Sequence, residues 1–335
     1  MQDTQAAQDQ QDQLIIENLC QWFFVGSGKS KQTGKKEKYY VRAVDDVSLK
    51  IKKGETFGLV GETGCGKTTL GKSILRLNDL TSGTVRFEGR DLSKLSEKEM
   101  RQLRLKMQII FQDPYGSLNA RLSVGNALKE PLLAHKLCSK AEADGRVEEL
   151  LNKVGLKAYH MHRFPHEFSG GQRQRIAIAR ALTVDPKFIV CDEPVSALDV
   201  SIQAQIVNLL TKLRREMDLT YLFISHDLLV VRHISDRIGV MYLGKLVELA
   251  PAKELYDRRI HPYTGALFSA MPVAKRGAKK ERILLEGDQP SPIVKPVGCS
   301  FAGRCNKKGP ECVETIPELR EIEQGHFVAC HRPNV

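Results

Sequence analysis

The feature that most narrows this 335-residue chain is an apolar run at residues 57–60 that opens into Gly61-Glu62-Thr63-Gly64-Cys65-Gly66-Lys67-Thr68, followed by a helical pattern over residues 68–77. The octet fits G-x-x-x-x-G-K-[ST], and a strand before it with a helix after it is the setting in which that pattern cradles phosphate. Glycines let backbone N–H groups turn inward around an anion, and the helix N-terminus adds partial positive charge. Lys67 is spaced to reach β- and γ-phosphate oxygens. Thr68 offers a hydroxyl to Mg²⁺, and Thr69 continues the first helical turn beside the phosphates. An ordinary glycine turn is the bland alternative, and the complete octet in this context speaks against it.

Around the octet the chain reads as α/β. Residues 1–13 are polar and without period, so they read as disordered. Strand-like runs follow at residues 14–16, 22–25, 43–51 and 56–60. Residues 26–38, rich in Gly, Ser and Lys, read as a solvated loop insertion rather than a patch for anionic lipid or nucleic acid. Apolar residues from 103 to 156 recur mostly at helical spacing, broken by Pro114, Gly116 and Pro131, which predicts a mainly helical subdomain at about residues 113–165. Helices at 171–182 and 201–217 then alternate with strands at 187–191 and 220–225, and strand-like runs at 237–242 and 245–248 come next. Alternation of this kind implies βαβ units and a parallel sheet buried on both faces. Pro, Gly and Lys accumulate beyond Pro251, so residues 14–250 read as one α/β domain and 251–335 as an extension; at roughly 150 residues per domain the length suits about two units.

Composition sets outer limits. With 41% hydrophobic and 27% charged residues the chain can fill a core. It has no apolar run near the roughly eighteen residues of a membrane span and no signal-peptide core, so a soluble cytosolic protein is expected. The net charge of +11 suits nucleic acid, anionic lipid or phosphate-bearing ligands without choosing among them. Of eight cysteines, Cys299, Cys305, Cys312 and Cys330 fall together in the extension. In a reducing compartment that grouping reads as a metal site rather than a disulfide framework. The spacing C-x5-C-x6-C-x17-C lacks a C-x2-C pair, and four thiolates suit either tetrahedral Zn²⁺ or an iron–sulfur cluster.

Two further motifs carry chemistry. Phe188-Ile189-Val190-Cys191 is an apolar run ending in Asp192-Glu193, where one acid is spaced to hold Mg²⁺ and the next to polarise an attacking water as general base. Alone, such a pair reads equally well as a helix-capping turn. Phe168-Ser169-Gly170-Gly171-Gln172 is a polar glycine turn before an Arg- and Ala-rich helix, and by itself Ser169 reads as an N-cap.

The order of these motifs, together with Gln112, Ser196-Ala197-Leu198-Asp199 and His226, resembles the ATP-binding cassette (ABC) family over residues 14–250. The resemblance implies a P-loop NTPase nucleotide-binding domain with an inserted helical subdomain, and two such domains clasping ATP head to tail. Carried over by position, Ser169, Gly170, Gly171 and Gln172 contact the γ-phosphate bound to the partner, and Asp199 couples the two sites. Gln112 sits near Mg²⁺ and the attacking water, Glu193 is the base, and His226 contacts the γ-phosphate. His135, His160, His162, His166 and His233 keep a structural reading. The family's adenine-stacking aromatic falls to Tyr40 or Tyr39, with Trp22 also possible.

The stretch Phe111-Gln112-Asp113-Pro114-Tyr115-Gly116-Ser117-Leu118-Asn119, residues 196–205, and His261-Pro262-Tyr263-Thr264 with residues 266–272 are similar to ATPase subunits of bacterial oligopeptide/dipeptide importers, a group that includes nickel importers. Thr63 and Thr68 stand where the group usually has Ser, and Ala120 where it generally has Pro. This resemblance implies two transmembrane permease subunits as partners, a second ATPase that is homologous and paralogous, and an extracytoplasmic solute-binding protein acting indirectly. It also implies residence at the cytoplasmic face of the membrane and a [4Fe-4S] cluster on the tail cysteines, with Zn²⁺ as the alternative. A soluble cassette ATPase acting on nucleic acid lacks its usual second cassette or coiled-coil insertion here. An unrelated P-loop GTPase would show an Asn-Lys-x-Asp element, absent here, and a P-loop kinase would not need the Ser-Gly-Gly-Gln turn.

Overall fold

The computed structural model describes residues 12–29, 36–271, 283–285, 287, 289–293 and 296–334. The polar N-terminus up to residue 11, the middle of the Lys-rich segment, and Pro272 lie outside the described residues. The strands are β1 (Asp12–Lys29), β2 (Lys36–Lys52), β3 (Thr56–Val60), β4 (Ser82–Phe87), β5 (Arg90–Asp91), β6 (Met107–Ile110), β7 (Phe188–Asp192), β8 (Thr220–Ile224), β9 (Arg237–Tyr242), β10 (Lys245–Pro251), β11 (Arg320–Glu323) and β12 (His326–Val328). The described residues fall into two compact units, one formed by the N-terminal segment, residues 57–94 and everything from His226 onward, the other by residues 53–56 and 95–225.

The first unit holds an antiparallel sheet in the order β2-β1-β4-β5. Val47, Leu49 and Ile51 of β2 and Val85 and Phe87 of β4 are buried in the in-and-out alternation of an antiparallel sheet, whereas residues 13–16 of the central β1 are buried in succession. Of residues 26–38, expected to be a solvated loop, the described ones (26–29 and 36–38) instead lengthen a β-hairpin: Gly26 pairs with Tyr39, Ser27 with Lys38 and Gly28 with Glu37. Gly28 serves packing, because the Tyr39 ring lies over it where a Cβ would stand 3.0 Å away. The same unit carries β3, parallel to β9, which continues antiparallel through β10, β12 and β11. Every residue of β3 is buried.

The β11–β12 hairpin of the extension thus adds to β10, with Glu248 opposite Val328 and Leu249 opposite Phe327. A buried polar knot fastens it. His326 lies 2.8 Å from Glu248 and 3.1 Å from Glu254, and Glu248 also accepts the N–H groups of Ile260 and His261.

The second unit has a parallel sheet in the order β8-β7-β6, with β7 and β8 buried throughout. Strand β6 lies where helical spacing was expected. Its four residues pair with β7 from Met107–Phe188 to Ile110–Cys191, and a run this short carries no period that separates strand from helix. Helices Val124–Ala134 and Ala143–Lys153, with short 3₁₀ turns behind them, make the helical part of the unit. Helices Gly170–Leu182 and Val200–Met217 flank β7 in sequence. No helix among the described residues is long and apolar enough to cross a membrane.

Candidate active site

In the first unit the octet forms a closed loop between β3 and helix Lys67–Ile74. The helix starts at Gly66, with left-handed φ of 106° and no side-chain cap. A Cβ at Gly66 would collide with the Ala43 carbonyl oxygen, and that crowding demands glycine as firmly as φ does. The buried Lys67 Nζ donates to the carbonyls of Gly61 (2.8 Å) and Glu62 (3.0 Å), which gathers the loop around its ammonium. Thr63 and Gly64 are exposed at the loop crest, and Thr68 and Thr69 are half-buried at the helix start. Cys65 is buried; burial pushes its thiol pKa up against the opposing pull of Lys67.

In the second unit Asp192 ends β7, 4% exposed. Glu193 follows with φ of 47°, a left-handed conformation costing a non-glycine residue roughly 1 kcal/mol. Its N–H donates to the Ile224 carbonyl at 3.0 Å. Gln112 Nε2 donates to Glu193 Oε2 at 3.0 Å across 81 residues of sequence. The fold therefore brings together the residues expected near the attacking water.

Ser169 and Gln172 are joined in a capping box: Ser169 Oγ accepts the Gln172 N–H at 3.4 Å and Gln172 Oε1 accepts the Ser169 N–H at 3.1 Å. The bland N-cap reading is thus physically realised in this chain. A Cβ on Gly171 would stand 2.5 Å from Ile202 Cγ2, so the turn lies against the start of the helix that Asp199 caps. Asp199 Oδ1 accepts from Ile202 N (3.0 Å) and Ser201 Oγ (2.9 Å), and these bonds hold its carboxyl below the usual range.

His226 is exposed, and Asp227 behind it caps helix Leu228–Ile234 by accepting from Leu229 and Val230. Tyr40 pairs with Phe24 on the β1–β2 hairpin, the rings 5.7 Å apart, and Trp22 is 6.4 Å away with Arg42 stacked 4.2 Å above it. The hairpin therefore groups two of the candidate adenine-stacking rings.

Cys299, Cys305, Cys312 and Cys330 all line one small cavity of the extension, beside His261, Phe301 and Arg332. Burial pushes the Cys330 thiol up to about 11. Among the described residues no group of three or more His, Cys, Asp or Glu side chains forms a metal-holding set, so the four thiols converge without closing on a common centre.

Sequence reading missed two residues that touch the phosphate loop. Tyr263 Oη accepts the Glu62 N–H at 2.9 Å, and Arg304 Nη1 donates to both Glu62 carboxylate oxygens at 2.8 and 3.1 Å. Tyr263 lay within a noted stretch, but a contact spanning 242 residues, as Arg304 makes, leaves no local signal.

Comparison with known proteins follows the same outline. Residues 44–196 match the family described as ABC transporter, and residues 247–312 match the oligopeptide/dipeptide transporter C-terminal region. The oligopeptide transport ATP-binding protein AppF of Bacillus subtilis is 53% identical over 329 residues, covering 97% of this chain and 98% of its own. OppF, of the same organism and description, is 54% identical over 292 residues, 87% of this chain and 90% of its own. Among solved structures, the ATP-binding cassette MJ0796 as a post-hydrolysis dimer with ADP and Pi superposes with a TM-score of 0.63 at 28% identity, over 71% of this chain and 98% of that one. The chain is an ATPase of the ABC transporter family, in the group that carries the oligopeptide/dipeptide transporter C-terminal region.

Proposed function

We propose that this chain is the motor subunit of a peptide importer, working at the cytoplasmic face of the membrane with two permease subunits and a second, paralogous ATPase. The observation that carries the catalytic part is the Gln112–Glu193 hydrogen bond at the end of β7. Glu193 takes a proton from water as the water oxygen bonds to the γ-phosphorus and the bond to the β-phosphate oxygen breaks, releasing ADP and phosphate. Backbone N–H groups of residues 61–69 and the Lys67 ammonium hold the phosphates. Thr68, Asp192 and Gln112 would hold Mg²⁺, which supplies charge neutralisation at the β- and γ-oxygens. His226 contacts the γ-phosphate, and Tyr40, with Trp22 beside it, stacks on adenine.

The turn Ser169–Gln172 of one subunit closes the site of the other, and Asp199 links the two. Closure brings donors to the reacting phosphoryl group and excludes water. Residues 14–250 act as the ATPase domain, the helical part at about 113–165 meets the permeases, and residues 251–335 form the importer-type extension. A 330 Å³ groove lined by Arg101, Arg104, Gln108, Phe111, His135 and Arg180 lies in the same unit as the helical part. Peptide as cargo is supported by the relatives' names and by the matched C-terminal region; neither points to nickel or nucleic acid. The four tail cysteines are the residues that would hold an iron–sulfur cluster. Their all-thiol chemistry supports that reading, in which the group would tie a small extension together.

The test is Glu193→Gln. Its turnover should fall at least about a hundredfold with ATP still bound, as expected for loss of a general base, and ATP should hold two chains together in gel filtration. Hydrolysis at the parent rate would sink the assignment of the base.

A further inference from the structure

We infer that Arg304 and Tyr263, both from the chain beyond β10, are positioning residues for ATP: they fix Glu62 in the phosphate loop and keep its carboxylate neutralised beside the polyphosphate. The inference rests on the ATPase assignment and extends it to residues outside the nucleotide motifs.

Glu62 is held at three points. Its N–H is taken by Tyr263 Oη at 2.9 Å, its carboxylate by Arg304 at 2.8 and 3.1 Å, and its carbonyl accepts from Lys67 Nζ at 3.0 Å. The first two holders are rigid. Tyr263 is fully buried, its ring 4.7 Å from Tyr242 and 5.4 Å from Phe301. The Arg304 side chain is 12% exposed and that of Glu62 26%, so the pair is shielded from the water that would otherwise screen it. A shift of residue 62 passes directly to the Lys67 ammonium, because Glu62 supplies one of its two carbonyl partners.

The electrostatic consequence is specific. A loop that gathers a polyanion carries an acid at its second position, and an unpaired carboxylate there repels the phosphates. Arg304 cancels that charge through two hydrogen bonds from a single nitrogen. Loss of Arg304 should therefore weaken ATP through the acid left behind, and removing the acid should restore binding.

The experiment uses the full chain, with Mg-ATP affinity read by displacement of a trinitrophenyl-ATP probe and KM and kcat from steady-state hydrolysis. Arg304→Ala should raise the Kd and KM for ATP about tenfold, the loss expected when a charged hydrogen-bond partner is removed. Adding Glu62→Gln to Arg304→Ala should bring the Kd back to within about threefold of the parent, because the neutral amide leaves no charge to oppose the phosphates. Arg304→Lys should fall between parent and Arg304→Ala, and Tyr263→Phe should raise the Kd by a few-fold. The proposal is overturned if Arg304→Ala binds ATP as the parent does, or if Glu62→Gln fails to rescue it, since a merely structural role for Arg304 predicts no rescue. Should Arg304→Ala not fold, Arg304→Lys with and without Glu62→Gln applies the same criterion. A parent chain that failed to displace the probe would instead strike at the ATPase assignment.

Discussion

At the residue scale the fold spends strain and space where the chemistry sits. Glu193 has a left-handed backbone and is anchored by Gln112 and the Ile224 carbonyl. Gly171 has no room for a side chain because Ile202 stands 2.5 Å from where its Cβ would be. Ile202 is β-branched and stiff at χ1, so it cannot swing aside cheaply. Gly171→Ala should therefore destabilise the chain by about 1–3 kcal/mol, despite alanine's better helix propensity. Urea unfolding measures this, and a variant as stable as the parent would show that the approach is looser than described. The identities of Lys67, Asp192, Glu193 and Gln112 were visible in sequence; that Glu193 and Gln112 are hydrogen-bonded was not, because 81 residues separate them.

At the scale of elements, the extension is held to β10 by chemistry that a local pattern does not announce. Residues 326–328, His-Phe-Val, are too short to carry a pattern, yet His326 and Glu248 are fully buried and bonded to each other. Burial pulls the His326 pKa down, but hydrogen bonds to Glu248 and Glu254 prevail and raise it above its ordinary value. A raised folded pKa means that the charged knot stabilises the fold fully below the unfolded histidine pKa of about 6.5 and that this contribution is lost as pH climbs through the higher folded value. Denaturant midpoints should accordingly decline over that window for the parent, and the decline should be smaller for His326→Gln. Equal slopes would exclude His326 as the origin. His326→Ala should cost about 3 kcal/mol or more, since it leaves the Glu248 carboxylate buried without its partner.

For the whole molecule, the proposed catalysis depends on two chains, each lending half of a site. Hydrolysis per chain should then rise with protein concentration before reaching a plateau, steeply at first and without added permease. A specific activity flat over a hundredfold dilution, with ATP bound throughout, would mean that a single chain suffices. The comparison with MJ0796, solved as a dimer with ADP and Pi, concerns that protein and makes the measurement worthwhile for this one.

The sequence alone determined the chemistry that a short span of chain can encode. An octet between strand and helix, an apolar run closed by two acids, and a Ser-Gly-Gly-Gln turn each act through neighbours a few residues away, so their order names the family. Tertiary structure decided what depends on distant partners. Gly26 and Gly28 became strand because β2 pairs with them, β6 became strand because β7 does, and Glu62 acquired Tyr263 and Arg304 because the extension folds back within its own unit. Local propensity is written residue by residue, whereas strand pairing and buried charge are settled by whichever distant groups burial brings within hydrogen-bond reach.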